Sequence, residues 1–253
     1  MAKKIVFLIF FVSLTAHSLQ ALPPKNYHLI WSDEFNKSQV DTTVWTFDTG
    51  DNGWGNNELQ YYTQQGNAEV KNGLLTITAR KTESGYTSAR MITRTKRIFT
   101  YGYIEIRAKL PKGKGTWPAL WLLGQNMTQA GWPACGELDI MEHVGKDPGV
   151  IHSSVHNLSG HGQTPYTGII KLTDPFDTFH LYAIDWNENR IRFLVDNKPV
   201  YTYAPKQKNE ATWPFDKPMY LIFNIAMGGN WGGAIDDACL PQTMTIDYIR
   251  VYR

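Results

Sequence analysis

Apolar and polar residues alternate with a period of two along much of this chain, and this pattern constrains the fold more than any other feature. Leu75, Ile77 and Ala79 alternate with Thr76, Thr78 and Arg80, and the segments 103–110, 191–196 and 246–253 alternate in the same way. This period is that of a β-strand with two different faces. Turn-forming residues separate the runs, residues 179–203 have the pattern of a meander, and no window shows a long amphipathic helix. The sequence therefore predicts an all-β sandwich or barrel.

The first 21 residues have the composition of a secretory leader. A basic start at Lys3 and Lys4 precedes an apolar stretch at 5–14 and then small residues, which is the order found in signal peptides. A membrane anchor is the alternative, but the apolar stretch is short for a bilayer span. We therefore expect a signal peptide at 1–21, a single domain at 22–253 and export of the mature chain. No cysteine lies near the cleavage region to carry a lipid.

The mature chain is expected to be electrically balanced. The sequence has 25 Lys and Arg against 23 Asp and Glu, and two of the basic residues lie in the leader. A balanced chain without a basic run argues against nucleic acid and anionic membranes as partners. Aromatic residues reach 13%, with 9 Trp and 13 Tyr, which favours a flat, uncharged partner such as a sugar ring. We expect the mature protein to be a monomer.

Cysteine and histidine give no strong metal signal. Export would allow Cys135 and Cys239 to pair, but the sequence does not show whether their Cα atoms come close enough, so the pairing stays open. His152, His156 and His161 form the histidine cluster of the chain. Their apolar neighbours favour a strand that runs into a loop over a metal site.

The segment 136–144, GELDIMEHV, contains most of the candidate chemistry. Glu137, Asp139 and Glu142 lie within six residues of one another among apolar neighbours. In a helix Glu137 and Glu142 would point in different directions, and in a regular strand Glu142 would face away from the other two. A one-residue β-bulge near 140–141 would bring all three carboxylates to one face.

The predicted bulge also has consequences for the packing of the core and for the pKa values of the three acids. Leu138 and Ile140 would enter the core, and Met141 would turn aside. Three neighbouring carboxylates repel one another, so the pKa of at least one should rise, as two-carboxylate hydrolysis of glycosides requires. A calcium cluster and a solvated acidic edge strand are the alternatives that the residues alone leave open.

The segment resembles the active-site motif of glycoside hydrolase family 16 in its bulged, laminarinase-like form. The similarity continues, in order, over roughly residues 27–253. Its other matching segments are WSDEF at 31–35, WGNNELQYY at 54–62, WPALWLLG at 117–124, GGNWGG at 228–233 and IDYIRVY at 246–252. The resemblance implies a β-jelly-roll sandwich of two antiparallel sheets, concanavalin-like, with a substrate cleft on the concave face. It also implies retaining endo-hydrolysis of β-glucan.

Residue roles follow from the resemblance by position. Glu137 would be the nucleophile, Glu142 the general acid/base, and Asp139 a hydrogen-bond partner of the nucleophile. The implied substrate-binding residues are Asn56, Arg90, Trp117, Trp121, His156 and Trp231. The alternatives are core packing for a tryptophan, a solvated strand charge for Arg90 and turn formation for Asn56. Trp132 is a further stacking candidate.

The resemblance implies no cofactor for catalysis but a structural calcium ion on the convex face. Its ligands here would be Glu34, Asp247 and a backbone carbonyl such as that of Gly73, and ordinary ion pairing at strand ends is the alternative explanation for the two carboxylates.

Three functional hypotheses follow. The first is an exported endo-β-glucanase that acts on laminarin, on mixed-linkage β-1,3/1,4-glucan, or on both. The second is a non-catalytic glucan-binding protein on the same scaffold, which the intact set of three acids argues against. The third is a galactan hydrolase of the same family, although no Lys/Arg cluster surrounds the motifs to receive sulfate. The choice between linkages depends on loop shapes that the sequence does not give.

Overall fold

The computed structural model of the protein describes residues 23–253, so the predicted signal peptide at 1–21 lies outside the described residues. Strands dominate the described chain. They are β1 (Leu29–Asp33), β2 (Thr46–Asp48), β3 (Gln60–Tyr62), β4 (Ala68–Lys71), β5 (Leu74–Thr82), β6 (Gly85–Ser88), β7 (Arg90–Ile92), β8 (Ile98–Phe99), β9 (Gly102–Lys109), β10 (Thr116–Gly124), β11 (Glu137–His143), β12 (Val150–His156), β13 (Thr167–Lys171), β14 (His180–Trp186), β15 (Ile191–Val195), β16 (Lys198–Tyr203), β17 (Met219–Met227) and β18 (Gln242–Tyr252).

Helical segments in the described residues are each one turn long. They are α1 (Met127–Ala130), α2 (Gly229–Gly232) and three 3₁₀ turns at Gly53–Gly55, Pro214–Asp216 and Asp237–Cys239. Within residues 23–253 no helix has the length and apolar character needed to cross a membrane. The expectation of an all-β chain without a long helix is confirmed.

The strands form two sheets. The ten-stranded sheet has the order β16-β15-β14-β9-β18-β5-β6-β3, with β1 on β18 and β4 on β5. The eight-stranded sheet has the order β13-β12-β11-β10-β17-β7-β2, with β8 on β17. All pairings are antiparallel except the one between β3 and β6. The predicted meander at 179–203 is confirmed as β14, β15 and β16, which pair in sequence.

The main core contains side chains from the inward faces of both sheets. The predicted inward residues of β5, β9 and β15 are all buried there: Leu75, Ile77, Ala79, Ile104, Ile106, Ala108, Ile191, Phe193 and Val195. Burial of apolar side chains drives association of the two layers. The apolar positions of the alternating pattern therefore identify the inward face of β5, β9 and β15.

The alternation predicted for β18 is wrong at one point. Strict alternation over 246–253 would place Ile246 on one face with Tyr248, but Ile246 lies in the core together with Ile249 and Val251. The register shifts between Ile246 and Tyr248, so a bulge at Asp247 changes the phase of the strand. The regular pattern in the sequence did not reveal this extra residue.

Both cysteines are free thiols. Cys135 is buried in a small cluster with Leu123 and Tyr220, whereas Cys239 lies in a 3₁₀ turn next to Lys114. The disulfide that export would permit is therefore absent from the described structure.

Candidate active site

The outer face of the eight-stranded sheet, called the site face below, collects polar side chains in rows across the strands. Cross-strand partners share a face, and the pairings of β2, β7, β17, β10, β11 and β12 define three adjacent rows. The first row contains Asp48, Arg90, Asn224, Ala119, Glu142 and His152. The second contains Trp121, Asp139 and Ser154. The third contains Tyr220, Leu123, Glu137 and His156.

The predicted bulge in β11 is present. Asp139 pairs with Trp121 and Met141 with Leu120, whereas Ile140 has no partner in either neighbouring strand. The carbonyl of Ile140 instead accepts a hydrogen bond of 2.9 Å from the hydroxyl of buried Ser153. This hydroxyl satisfies a buried acceptor that the bulge removes from the ladder.

The bulge has the predicted effect on the acids, and it moves Met141 off the site face. Glu137, Asp139 and Glu142 lie on the site face, while Leu138 and Ile140 lie in the core as predicted. Met141 is turned aside from the site face, as predicted, and it is fully buried in the core next to Ile140, a position that the prediction did not specify. A bulge places two consecutive side chains on the same side of a strand, so the core takes both.

His156 joins two of the carboxylates. Its Nε2 lies 3.1 Å from Oδ2 of Asp139 and 3.8 Å from Oε1 of Glu137. These three side chains form a set of ligand atoms, all within 4.8 Å of one another, that is compact enough to hold a metal ion; it is the one such set of three or more His, Cys, Asp or Glu side chains in residues 23–253. The same arrangement serves hydrogen bonding and charge control of a carboxylate equally well.

Burial raises the pKa of all three acids. Removal from water is the largest cause at Glu137, followed by the neighbouring charge of Asp139, and His156 and Arg90 act in the opposite direction. Burial also raises the pKa of Asp139. Burial together with Asp139 raises the pKa of Glu142 to about 8, although the nearby His156 and the indole of Trp117 lower it. The cluster therefore retains protons near neutral pH, and its members titrate together.

Trp117 contacts Glu142 directly, and Trp231 packs on Trp117. The Nε1 of Trp117 donates a 3.0 Å hydrogen bond to Oε1 of Glu142. The ring of Trp231 meets that of Trp117 edge to face at 5.3 Å, and the ring of His152 meets Trp231 in the same way at 4.9 Å. The sequence prediction of Trp117 and Trp231 near the acids agrees with this placement, but it did not include His152.

Arg90 lies between two indole rings. Its guanidinium carbon is 4.9 Å from the ring centre of Trp54 and 4.8 Å from that of Trp121, and its Nε donates to Asp48 at 3.1 Å. A cation held between aromatic faces and a carboxylate has a fixed position. The alternative of a freely solvated strand charge therefore does not describe Arg90.

Asn56 directly follows the 3₁₀ turn Gly53–Gly55 and is held by two hydrogen bonds. Its side-chain amide donates to Oε1 of Glu58 at 3.2 Å, and its backbone carbonyl accepts from Asn230 at 2.8 Å. Asn230 is the neighbour of Trp231, so the matching segments 54–62 and 228–233 are in direct contact.

The predicted calcium ligands are engaged with cations. Glu34 makes two 2.9 Å hydrogen bonds to the guanidinium of Arg250, and Asp247 pairs with Arg107. Both carboxylates thus match the alternative of ion pairing, and Gly73 contributes only a turn in which φ is +74°. This donor set does not fit a calcium ion without displacement of both arginines, and the calcium site stays a prediction.

Sequence reasoning missed several side chains on or beside the site face, or gave them no role. They are His152 and Asn224 on the sheet itself, and Trp54, Glu58 and Tyr62 in β3 and the loop before it, which contact the sheet at Arg90, Gly228 and Asn224. The ring of exposed Trp132 lies 6.1 Å from that of His156. Trp54 and Asn224 carry no local chemical signal, since only strand pairing brings them to the acids.

A β-sandwich that presents interacting carboxyl groups, with raised pKa values, among tryptophans on one sheet face is the architecture of a carbohydrate hydrolase that uses two carboxylates. The model of the family described as glycosyl hydrolases family 16 matches residues 55–250. The chain belongs to that family, and it is a glycoside hydrolase.

Similar proteins agree with this assignment. The chain is 45% identical to a beta-glucanase of Rhodothermus marinus, over 90% of this chain and 86% of that protein. It superposes on the crystal structure of a laminarinase from Flavobacterium sp. UMI-01 with a TM-score of 0.87 and 50% identity, covering 89% of this chain and 100% of the other. A non-specific endo-beta-1,3(4)-glucanase, co-crystallized with 1,3-beta-D-cellotriosyl-glucose, gives a TM-score of 0.87 and 39% identity, covering 92% and 96%. The jelly-roll fold is therefore confirmed.

Proposed function

We propose that this protein is a retaining endo-β-glucanase that hydrolyses internal bonds of β-1,3-glucan and of mixed-linkage β-1,3/1,4-glucan. The observation that carries the proposal is the bulged strand β11, which presents Glu137, Asp139 and Glu142 on one face among indole rings. The names of the relatives and of the structural neighbours, a beta-glucanase, a laminarinase and an endo-beta-1,3(4)-glucanase, support this substrate class.

The surroundings of the two glutamates support different roles. The positive charge of Arg90 acts on Glu137 and favours its ionised form, and an ionised carboxylate is the nucleophile of a retaining enzyme. Burial and the charge of Asp139 raise the pKa of both glutamates, and Glu142, on which Arg90 does not act, is the one we assign as the general acid. Asp139, between them in sequence and next to His156, tunes the charge of Glu137.

In the first step Glu142 gives its proton to the glycosidic oxygen as the bond from that oxygen to the anomeric carbon breaks. An oxygen of Glu137 bonds to the anomeric carbon from the opposite face and forms a glycosyl ester. The fragment that carries the protonated oxygen leaves. Glu142 is then a carboxylate that accepts a hydrogen bond from the indole N–H of Trp117.

In the second step Glu142 takes a proton from a water molecule, and the water oxygen attacks the anomeric carbon. The ester bond to Glu137 breaks, so the product has the configuration of the substrate and both glutamates regain their starting states. A sugar hydroxyl in place of the water would give transglycosylation.

The test is product analysis of the purified mature protein on laminarin and on barley mixed-linkage glucan, side by side. Cleavage of both polymers to short oligosaccharides is expected. Cleavage of one alone would narrow the linkage preference to that polymer. Activity on neither would contradict the proposal and would favour the glucan-binding or the galactan-hydrolase alternative.

We also propose that the mature chain is exported and acts as a monomer, without nucleic acid or membrane partners. The leader-like composition of 1–21 supports export. N-terminal sequencing of protein from the culture medium or the periplasm, followed by light scattering, tests both statements. A retained N-terminus or a dimer would contradict them.

A further inference from the structure

Glu58 is a buried acid beside the site face to which the proposed reaction assigns no role. Only 8% of its surface is exposed, although it lies in a polar loop before β3. Its two carboxylate oxygens accept three hydrogen bonds, from Gln60 at 2.8 Å, Tyr62 at 3.1 Å and Asn56 at 3.2 Å. A buried carboxylate requires such donors, because burial without them is costly.

One of these donors begins a chain that ends at a predicted sugar-binding tryptophan. The hydroxyl of Tyr62 accepts from the amide nitrogen of Asn224 at 3.0 Å, and the amide oxygen of Asn224 accepts from Nε1 of Trp121 at 2.8 Å. Tyr62 and Asn224 are both buried. The chain therefore runs from Glu58 through Tyr62 and Asn224 to Trp121 without passing through solvent.

The chemistry of the groups determines the direction of every bond in this chain. An indole N–H only donates, so the amide oxygen of Asn224 must face Trp121 and its NH₂ group must face Tyr62. The hydrogen of the Tyr62 hydroxyl is then left for Glu58, and an ionised carboxylate only accepts. Each donor therefore meets an acceptor. The carboxylate of Glu58 strengthens the hydrogen bond from Tyr62 and, by polarising it, the bond from Asn224 to Tyr62.

A second branch joins Glu58 to the end of β17. Gln60 donates to Glu58 and accepts from the backbone N–H of Met227 at 2.7 Å, and Glu58 itself forms an isolated β-bridge with Gly228. Glu58 thus connects its own loop and β3 to β17, and through Trp121 to β10. These segments are far apart in sequence.

We propose that Glu58 is a positioning residue of the substrate-binding face: it fixes the indole of Trp121 through Tyr62 and Asn224, and it fixes the amide of Asn56 directly. Glu58 acts through these groups and does not touch the sugar, because three protein donors occupy its oxygens. The inference rests on the proposed function only in taking Trp121 and Asn56 as sugar contacts.

The test compares Glu58→Gln with Tyr62→Phe. Glu58→Gln removes the negative charge, which weakens the bonds that Tyr62 and Gln60 donate to Oε2, and it places an amide nitrogen opposite one of the three donors. Tyr62→Phe keeps the ring that packs on Trp54 and breaks only the branch to Trp121. The matched control is Tyr61→Phe, since Tyr61 is 47% exposed on the same strand and has no part in the chain.

The first readout needs no substrate. The indole N–H resonance of Trp121, identified by its loss in Trp121→Phe, should shift in both Glu58→Gln and Tyr62→Phe and stay in place in Tyr61→Phe. No shift in either test variant would overturn the proposal. This result is independent of whether the protein cleaves glucan, so failure of the inference and failure of the proposed function remain distinguishable.

The second readout separates positioning from folding. On a β-glucan oligosaccharide Glu58→Gln should raise KM about tenfold, which corresponds to roughly 1.4 kcal/mol, with kcat changed less than about threefold. In a Trp121→Phe background the same substitution should raise KM by clearly less, because part of its effect passes through Trp121. A lower melting temperature with unchanged KM would show a merely structural role. If Glu58→Gln does not fold, the KM of Tyr62→Phe decides the question.

Discussion

At the scale of single residues, Glu137 and Glu142 lie on one face but have different neighbours. His156 acts on both, but Arg90 acts on Glu137 alone, whereas Glu142 receives the indole N–H of Trp117. Electrostatic preorganisation of this kind allows two identical side chains to perform opposite proton chemistry at one pH. The roles proposed for them can therefore be separated by substitutions that remove one carboxylate at a time.

Replacement of either glutamate by alanine should lower kcat on glucan by more than about a thousandfold, and added azide should distinguish the two variants. In Glu137→Ala, azide takes the place of the nucleophile and should give an α-glycosyl azide from an activated aryl β-glucoside. In Glu142→Ala, azide attacks the ester on Glu137 and should give the β-glycosyl azide. Product NMR measures this, and exchanged anomers would reverse the assignment. Glu137→Gln should still bind glucan.

The basic limb of the pH profile should report the proton of Glu142. A general acid must be protonated, so kcat/KM should fall as the pH rises through the raised pKa of about 8. The indole of Trp117 lowers this pKa because it stabilises the carboxylate. Trp117→Phe should therefore move the basic limb to higher pH, by roughly 0.5 to 1 unit. A shift to lower pH, measured as normalised kcat/KM, would exclude this account of the limb.

At the scale of elements, the bulge in β11 depends on a bond from β12. Ser153 satisfies the Ile140 carbonyl that has no ladder partner. Ser153→Ala leaves that buried acceptor unpaired, and we expect the free energy of unfolding to fall by about 1 to 3 kcal/mol. kcat should also fall, because the bulge sets the position of Glu142 relative to Glu137.

Ser88→Ala is the matched control for that experiment. Ser88 is as buried as Ser153, but its hydroxyl has no hydrogen-bond partner. Its removal should therefore be nearly neutral or stabilising in urea denaturation. Equal losses in the two variants would mean that the Ser153 bond contributes nothing specific to the bulge.

The bulge also shows which parts of the site a sequence can predict. Three acids that cannot share a face in a regular strand predicted the extra residue in β11, because the chemistry required all three to converge. No such conflict marked the bulge of β18 at Asp247, so the regular pattern there misled. The burial of Met141 in the core was not predicted, because the pattern of acids says nothing about which bulge side chains the core accepts.

At the scale of the whole molecule, local alternation predicted the strands and the inward face of most of them, but it did not predict their neighbours. Glu58 meets Asn224 through Tyr62 only because β3 comes to lie beside the end of β17. His152 reaches Glu142 by pairing of β12 with β11. Contacts between segments far apart in sequence leave no local periodic signal. Only the structure therefore shows that Glu58, Asn224 and His152 belong to the site.

The molecule also contains a buried acid that lies far from the site face. Glu105 lies on β9 in the ten-stranded sheet, opposite Arg250, and is fully buried. One of its oxygens has no hydrogen-bond partner, and the other receives only a long bond of 3.4 Å from Tyr252. Burial, as the largest cause, raises the pKa of Glu105 to about 7.

This raised pKa makes stability depend on pH in a definite direction. Between about pH 4.5 and 7 the folded protein holds a proton on Glu105 that the unfolded chain releases, so stability falls as the pH rises through this range. The carboxyls of β11 contribute with the same sign. At pH 8 the ionisation of Glu105 should cost about 2 to 3 kcal/mol.

Glu105→Gln removes that cost, because the neutral amide resembles the protonated acid in shape. The variant should unfold at nearly the same denaturant concentration as the parent at pH 5, and it should be more stable by about 2 to 3 kcal/mol at pH 8, with glucan cleavage unchanged. Glu69→Gln, at an exposed position of the same sheet, should follow the parent at both pH values. A Glu105→Gln variant that loses stability equally at pH 5 and pH 8 would show that the carboxylate is stabilised by its surroundings. In that case the fall in stability with rising pH would have to arise from the carboxyls of β11 alone, whose protons also take part in the proposed reaction.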